Sequence, residues 1–261
     1  MILLGDDTFE KALLQRVLQN PNPYNIRIYS LFHAYKQTAL CQFWIQRTKE
    51  GAVSFLAKNG ASLILDAEPC ADMEELSAFS MLTGAVSLLC DAALPLKMPG
   101  FSARIYPVMR LEKAQRSVGQ PGRFYVQPRL QDIYALLHQC EDEGFVLPAF
   151  EDFYLELSHR IRHDSALCVG IMCNGRLCAC ALAVFYCLHG AVIGCVATHP
   201  QYRGRGLGKQ AVTALTGQMH KVQTERVFLH AVHHGTVAFY EKAGFSMCGS
   251  ALELHRKNGA I

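Results

Sequence analysis

The sequence predicts an α/β (α+β) protein built as two lobes, and three observations carry that expectation. The chain has 261 residues, more than one ordinary domain needs. Residues 191–198 are an apolar run that ends near Pro200 and opens into alternating glycines. A helix-face pattern then follows at Leu207, Ala211, Ala214, Leu215 and Met219. Third, Asn174-Gly175 separates two apolar runs, the signal of a two-residue β-hairpin. With 51% hydrophobic and 18% charged residues, the chain can bury a core in each lobe.

In the N-terminal lobe, 1–115, residues 40–46, 53–58 and 61–65 read as three strands, with Asn59-Gly60 as a tight turn. A helix begins near Asp72. The loop before it contains no glycine, and Asp66, Glu68, Asp72, Glu74 and Glu75 place five carboxylates at the helix start. Acidic side chains there complement the helix dipole themselves and would repel a phosphate. The lobe boundary falls at 112–122, where Lys113, Gln115, Arg116, Ser117, Gly119 and Pro121-Gly122 cluster. The C-terminal lobe, 123–261, opens with helical periodicity over 130–140 and 150–161. Strands follow at 166–173, 177–188 and 191–198. After the glycine loop and its helix come a strand over 227–232, a helix over 236–243 and a last strand.

A strand that hands a glycine-rich loop to a helix N-terminus builds an anion site. Backbone N–H groups can approach a phosphate closely, and the helix dipole favours negative charge. Two familiar phosphate templates fail here. A Walker loop needs glycine where Arg203 stands and Ser or Thr where Gln210 stands. A dinucleotide fingerprint needs glycine where Lys209 stands. What remains is Arg203-x-x-Gly206-x-Gly208, overlapped by a lead-in of Val196, Pro200, Tyr202, Arg203 and Gly204. About 30 residues on comes Phe239-Tyr240-Glu241-Lys242-Ala243-Gly244-Phe245. These two segments resemble the paired signatures of the GNAT superfamily of acyl-CoA N-acyltransferases. His233 and Thr236 stand where the family usually has Asn and Ala.

The resemblance covers the C-terminal lobe, whose element order is that of the GNAT fold: a mixed, mostly antiparallel sheet flanked by helices. It implies acetyl-CoA as acyl donor and no metal. Val196, Ala197 and Thr198 would pair through their backbone with the pantetheine arm. Arg203, Gly204, Arg205, Gly206, Leu207, Gly208 and Lys209 would hold the pyrophosphate, and His233, Phe239 and Tyr240 would complete the cofactor site. The N-terminal lobe resembles a degenerate GNAT half that kept the scaffold and lost the cofactor loop; an unrelated α/β domain is the alternative. Acyl transfer needs a held donor, a neutral amine and a proton for the departing thiolate. Tyr240 occupies the position of the family's general acid. A phenol stays protonated at neutral pH and can donate to a thiolate, or it merely orients the sulfur by hydrogen bonding. The general base is not legible: residues 191–198 hold no carboxylate, and His230, Glu143, Glu151, Glu156 or a water chain could serve.

Other signals are weaker. No run of 18 apolar residues suggests a membrane span, and the acidic start with Asp6, Asp7 and Glu10 does not read as a signal peptide. Eleven cysteines, an odd count, read as reduced thiols of a cytoplasmic protein. Cys173, Cys178 and Cys180 lack the two separated pairs of a zinc site and read as packing. The net charge of +3 is spread along both halves, and Arg203-Gly-Arg-Gly occurs once within an ordered turn, so no nucleic-acid partner is expected. The expected activity is N-acetyl transfer from acetyl-CoA to an unidentified amine acceptor, small molecule or protein, in a ternary complex. A non-catalytic acyl-CoA-binding regulatory module is the alternative.

Overall fold

The computed structural model describes residues 1–111, 124–142, 145–221, 224, 226–232 and 234–257. They divide into two compact units: Met1–Val108 with the residues from Cys248 onward, and Met109–Met247. The boundary expected at 112–122 lies outside the described residues, as do Glu143 and His233.

The first unit contains β1 (Ile2–Leu4), α1 (Asp7–Gln19), α2 (Pro23–Tyr35), β2 (Cys41–Arg47), β3 (Val53–Asn59), β4 (Ser62–Asp66), α3 (Met73–Leu82), β5 (Ser87–Asp91) and β6 (Phe101–Leu111), whose last residues belong to the second unit. The strands of β2, β3 and β4 form an antiparallel meander, β1 pairs antiparallel with β2, and β4 runs parallel to β5 through Ser62–Ile64 against Ser87–Leu89. The two helices before the meander were not among the expected elements, although α1 buries Phe9, Leu13 and Val17 at helix-face spacing and both starts carry legible caps. Asp6 Oδ1 accepts from the Thr8 N–H at 2.9 Å, and Asn22 and Asn25 cap each other's backbone ahead of Pro23. Alternation along β2 buries Cys41, Phe43 and Ile45. Phe9, Phe32, Phe43 and Phe55 meet with ring centroids 5.1–5.8 Å apart, joining α1 and α2 to the sheet. The other face packs Leu56, Leu63, Leu65 and Leu88 in one cluster with Leu76 of α3, and Trp44 sits against Phe79 there.

The second unit contains β7 (Phe124–Val126), α4 (Leu130–His138), α5 (Phe150–Arg162), β8 (Leu167–Cys173), β9 (Arg176–Cys187), β10 (Gly190–Thr198), α6 (Leu207–Lys221), β11 (Val227–His230), α7 (His234–Glu241) and the start of β12 (Phe245–Arg256). Its strands lie in the order β7-β8-β9-β10-β11, antiparallel except for the parallel β10–β11 pair. The β8–β9 hairpin turns at Asn174 and Gly175, whose φ values of 49° and 77° are those the two-residue turn demands. Period-2 alternation splits β9 between two cores. Ala179, Ala181 and Ala183 lie under Ala211, Leu215 and Met219 of α6, while Cys180 and Leu182 lie under Ile133, Leu137, Phe153 and Leu157 of α4 and α5.

The expected mixed, mostly antiparallel sheet flanked by helices is therefore present, and its order occurs twice. Each unit runs strand, helix, helix, antiparallel meander, helix, and a strand parallel to the meander's last. The final strand is divided: Phe245 packs in the second unit's core, whereas Ala251–His255 pair antiparallel with β5. The sequence carried no local signal for that exchange.

Candidate active site

The site begins with one extra residue in β10. Gly194 faces Leu182 of β9, but the next pair is Ala197 with Cys180, so three steps on β10 match two on β9. Such a bulge bends its strand and leaves a residue outside the ladder. Cys195 takes up the irregularity with φ +49°, a left-handed conformation unusual for a residue with a Cβ. The bulge also reverses side-chain parity. Ala191 and Ile193 pack toward α6, whereas Cys195 and Ala197 pack toward α4 and α5, and Val196 returns to the α6 side. The parallel ladder to β11 covers Ala191–Ile193, so Cys195–Thr198 lie past its last paired residue.

Beyond Thr198 the chain makes a short 3₁₀ turn, Pro200–Tyr202, that His199 caps by accepting the Gln201 N–H on its Nδ1 at 3.2 Å. That hydrogen bond makes His199 a turn-former. Arg203 Nε donates to the Thr198 carbonyl at 3.2 Å, tying the loop back to the strand end. Gly204 and Gly206 both have φ near +75°, a conformation glycine enters without steric cost. Gly208 is required for a different reason. A Cβ there would stand 2.9 Å from Thr198 Oγ1 and 3.5 Å from the Phe239 ring, so a larger residue would push the helix start off the strand. The first turn of α6 contains no acidic side chain, which leaves the positive end of its dipole uncompensated from within.

These elements line a cleft of about 830 Å³ in the second unit. It gathers Val196, Ala197 and Thr198 from β10, then Arg203, Gly204, Gly206, Leu207, Gly208 and Lys209 from the loop and helix start, and finally Phe239 and Tyr240 from α7. Arg205 is not among the lining residues; its guanidinium lies 5.2 Å from the centre of the Tyr202 ring. Cys140, Asp142 and Phe145, from the α4–α5 connection, also line the cleft, and sequence reasoning had not singled them out. The signal for them was spatial: the Cys140 thiol donates to the Thr198 carbonyl at 3.5 Å, fastening that connection to β10. Of the base candidates, His230 reaches the cleft wall. Glu156 is paired with Arg160 on its own helix, and Arg160 is in turn buried against the Val184 carbonyl and the Phe185 ring.

Electrostatics separate the two polar groups near the bulge from ordinary surface groups. Burial, with a smaller contribution from Cys195, pushes the Tyr240 hydroxyl up to about 12, so it holds its proton throughout the neutral range. Burial also pushes the Cys195 thiol up to about 11, which keeps it from acting as a thiolate at neutral pH. A phenol donor and a protonated thiol beside an anion cradle suit direct transfer from a thioester better than relay through cysteine.

Residues 130–245 match the model of the acetyltransferase (GNAT) family. They belong to the GNAT family. No curated protein is matched by the sequence. Among solved structures, the chain is similar to a Drosophila protein, with TM-score 0.70, 14% identity and 99% of each chain covered. It is similar to a GNAT-family acetyltransferase from Colwellia psychrerythraea, with TM-score 0.58, 13% identity, and 98% and 100% of the two chains covered. A tandem GNAT protein of the clavulanic acid biosynthesis pathway gives TM-score 0.59 and 12% identity, covering 100% of this chain and 99% of that one. At these identities the likeness is one of fold. The GNAT domain thus comprises the bulged strand, the glycine loop and the helix of Tyr240, and the first unit repeats the GNAT order without them. Among the described residues no group of three or more His, Cys, Asp or Glu side chains could hold a metal ion, and no helix is long and apolar enough to cross a membrane.

Proposed function

We propose that the GNAT domain transfers an acetyl group from acetyl-CoA to a primary amine by direct attack. The observation that carries this reading is the convergence on one cleft of the Arg203–Gly208 loop, the split strand at Cys195–Thr198 and the protonated hydroxyl of Tyr240. The pyrophosphate rests on main-chain N–H groups of the loop and the first turn of α6, with Arg203 and Lys209 adding positive charge. The pantetheine arm runs beside β10 as an added strand, and Cys195–Thr198, beyond the paired stretch of β10 and β11, offer the backbone for it.

With the thioester held at the bulge, a neutral amine attacks its carbonyl carbon. The tetrahedral intermediate collapses with cleavage of the C–S bond, Tyr240 supplies a proton to the departing sulfur, and the proton lost from the attacking nitrogen passes to water, from which the tyrosine is reprotonated. A hydroxyl pushed up to about 12 stays protonated at working pH and is available to donate to the leaving sulfur. Placement of the two reactants side by side supplies much of the acceleration. The first unit carries no glycine loop and is assigned a scaffold role.

Calorimetry with acetyl-CoA, followed by measurement of free thiol release over a panel of amines, tests the proposal. Binding together with amine-dependent thiol release supports it. Binding with no turnover on any amine, and unchanged slow thioester hydrolysis in Tyr240→Phe, would assign the domain to acyl-CoA sensing instead.

A further inference from the structure

We infer that Asp142 is the specificity-determining residue for the acceptor and that it selects amines bearing an apolar group but no neighbouring carboxylate. The inference rests on the acyl-transfer reading above and adds the substrate class. Among the described residues that line the cleft, Asp142 is the single carboxylate; the other formally charged ones are Arg203, Lys209 and Lys242. Arg203 and Lys209 belong to the loop and helix start that receive the pyrophosphate. Asp142 comes from a different element, the connection between α4 and α5, and it arrives with Phe145 beside it. Ile193 of β10 and Val232, two residues beyond β11, add further apolar lining.

The described residues of the connection hold the Asp142 backbone in place. Asp142 and Phe145 exchange backbone hydrogen bonds, at 3.1 and 3.2 Å. Immediately before them, Glu141 accepts the Leu147 N–H at 2.7 Å and pairs with His138, and the Leu147 bond leads in holding the Glu141 carboxyl below its usual range. Tyr134 donates its hydroxyl to the Pro148 carbonyl at 3.1 Å, and the Cys140 thiol reaches Thr198. Contacts of Cys140, Glu141 and Pro148 therefore tie the described residues of the connection to α4 and β10, and the bonds among Glu141, Asp142, Phe145 and Leu147 brace them internally. A pre-set segment holds a recognition group at little entropic cost on binding.

The chemistry of the acceptor completes the argument. An alkylamine resembles lysine and is an ammonium ion at neutral pH before it gives up its proton. A fixed carboxylate in the cleft attracts that cation and repels an amine that carries its own carboxylate. The apolar side chains of Phe145 and Val232 receive the substituent.

The test uses the full chain, acetyl-CoA and two acceptors that differ by one carboxylate, 2-phenylethylamine and phenylalanine. The expected kcat/KM favours 2-phenylethylamine by about ten-fold or more, as expected for a partly solvated like-charge clash. In Asp142→Asn the KM for 2-phenylethylamine should rise about five-fold and the preference shrink, with acetyl-CoA affinity by calorimetry unchanged. Asp142→Lys should turn the preference toward phenylalanine, and Asp142→Glu, which keeps the charge, should retain the wild-type order. A ratio unmoved by the Asn and Lys substitutions, or thiol release from neither amine by an enzyme that still binds acetyl-CoA, would overturn the assignment of Asp142 or of the acceptor class. Loss of the binding heat itself, with no thiol release, would instead remove the acyl-transfer reading on which it rests.

Discussion

A strand, a loop, a helix and a parallel strand occur twice in this chain, over 62–91 and over 190–230, and the two copies part company at the loop. In the first unit β4 pairs with β3 without a bulge, from Phe55 with Asp66 to Asn59 with Ser62. Its loop is acidic and closed upon itself. Arg16 of α1 contacts Glu68 at 2.8 Å, lies 3.6 Å from Asp66 and donates to the Val53 carbonyl, while Asn22 donates to Asp66 at 2.7 Å. Burial pushes the Asp66 carboxyl up, partly offset by Asn22 and Arg16. The N-terminus of α3 is satisfied internally, since Asp72 accepts the Glu75 N–H at 2.9 Å. In the second unit the strand is bulged, the loop is glycine-rich and the first turn of α6 holds no carboxylate. The first unit also has no helix between β5 and β6 to match α7, the element that carries Tyr240. A shared scaffold thus says little about chemistry: a few residues in one loop decide whether the helix dipole serves a ligand or the protein's own side chains.

That contrast can be broken most severely by giving the second loop the character of the first. Gly206→Glu combines a carboxylate with a φ that a side chain resists, and should weaken acetyl-CoA about 100-fold. Calorimetry on the variant, with circular dichroism as a check of folding, would break the comparison if affinity stayed within about two-fold. Tyr240→Phe removes the acid that the first unit lacks, and kcat for thiol release should fall about 100-fold with KM for acetyl-CoA little changed. The pH profile sharpens the point. The protonated phenol is the active form, and a hydroxyl pushed up to about 12 keeps its proton as pH rises past the usual tyrosine range. No loss of kcat traceable to Tyr240 should therefore appear below about pH 10. An alkaline limb under pH 9 that vanishes in Tyr240→Phe would contradict the assignment.

Smaller effects are expected in the first unit, and they should touch stability alone. Arg16→Met strands the buried Asp66 and should cost about 2–3 kcal/mol in urea unfolding while leaving acetyl-CoA affinity intact. Asp72→Ala removes one helix cap and should cost about 1 kcal/mol by the same measurement. Altered cofactor affinity in either variant would mean that the acidic loop has a part in binding.

How much was legible follows from the range of each signal. The hairpin at Asn174-Gly175, the helix starting at Leu207 and the three strands of each meander are set by spacings of a few residues, and the structure has them within a residue or two of the expected limits. The strand expected over 227–232 stops at His230, and the helix expected from Thr236 begins at His234, because local pattern fixes ends less well than centres. The helix α2 was missed because its burial is spread around the helix; it buries Tyr24, Asn25, Ile26, Ile28 and Leu31, which blurs a single apolar stripe, whereas α1 buries Phe9, Leu13 and Val17 on one face, a spacing that was present in the sequence and not read. Of the site, the loop residues and Tyr240 were readable as motifs. Asp142 and Phe145 carry no motif, and their place depends on how the α4–α5 connection is fastened to β10.

The residues themselves dictated which backbone could bend left-handed at Gly204 and Gly206, which helix start lacked a carboxylate and which phenol follows Phe239 in the second signature; these are properties of local chemistry and need no partner from afar. Folding alone decided that the last strand would pair with β5, that the bulge at Cys195 would turn Ala197 away from α6, and that the α4–α5 connection would line the cleft with a carboxylate. Those outcomes depend on contacts between residues far apart in the chain, whose free energy is gained only once the sheet has closed around them.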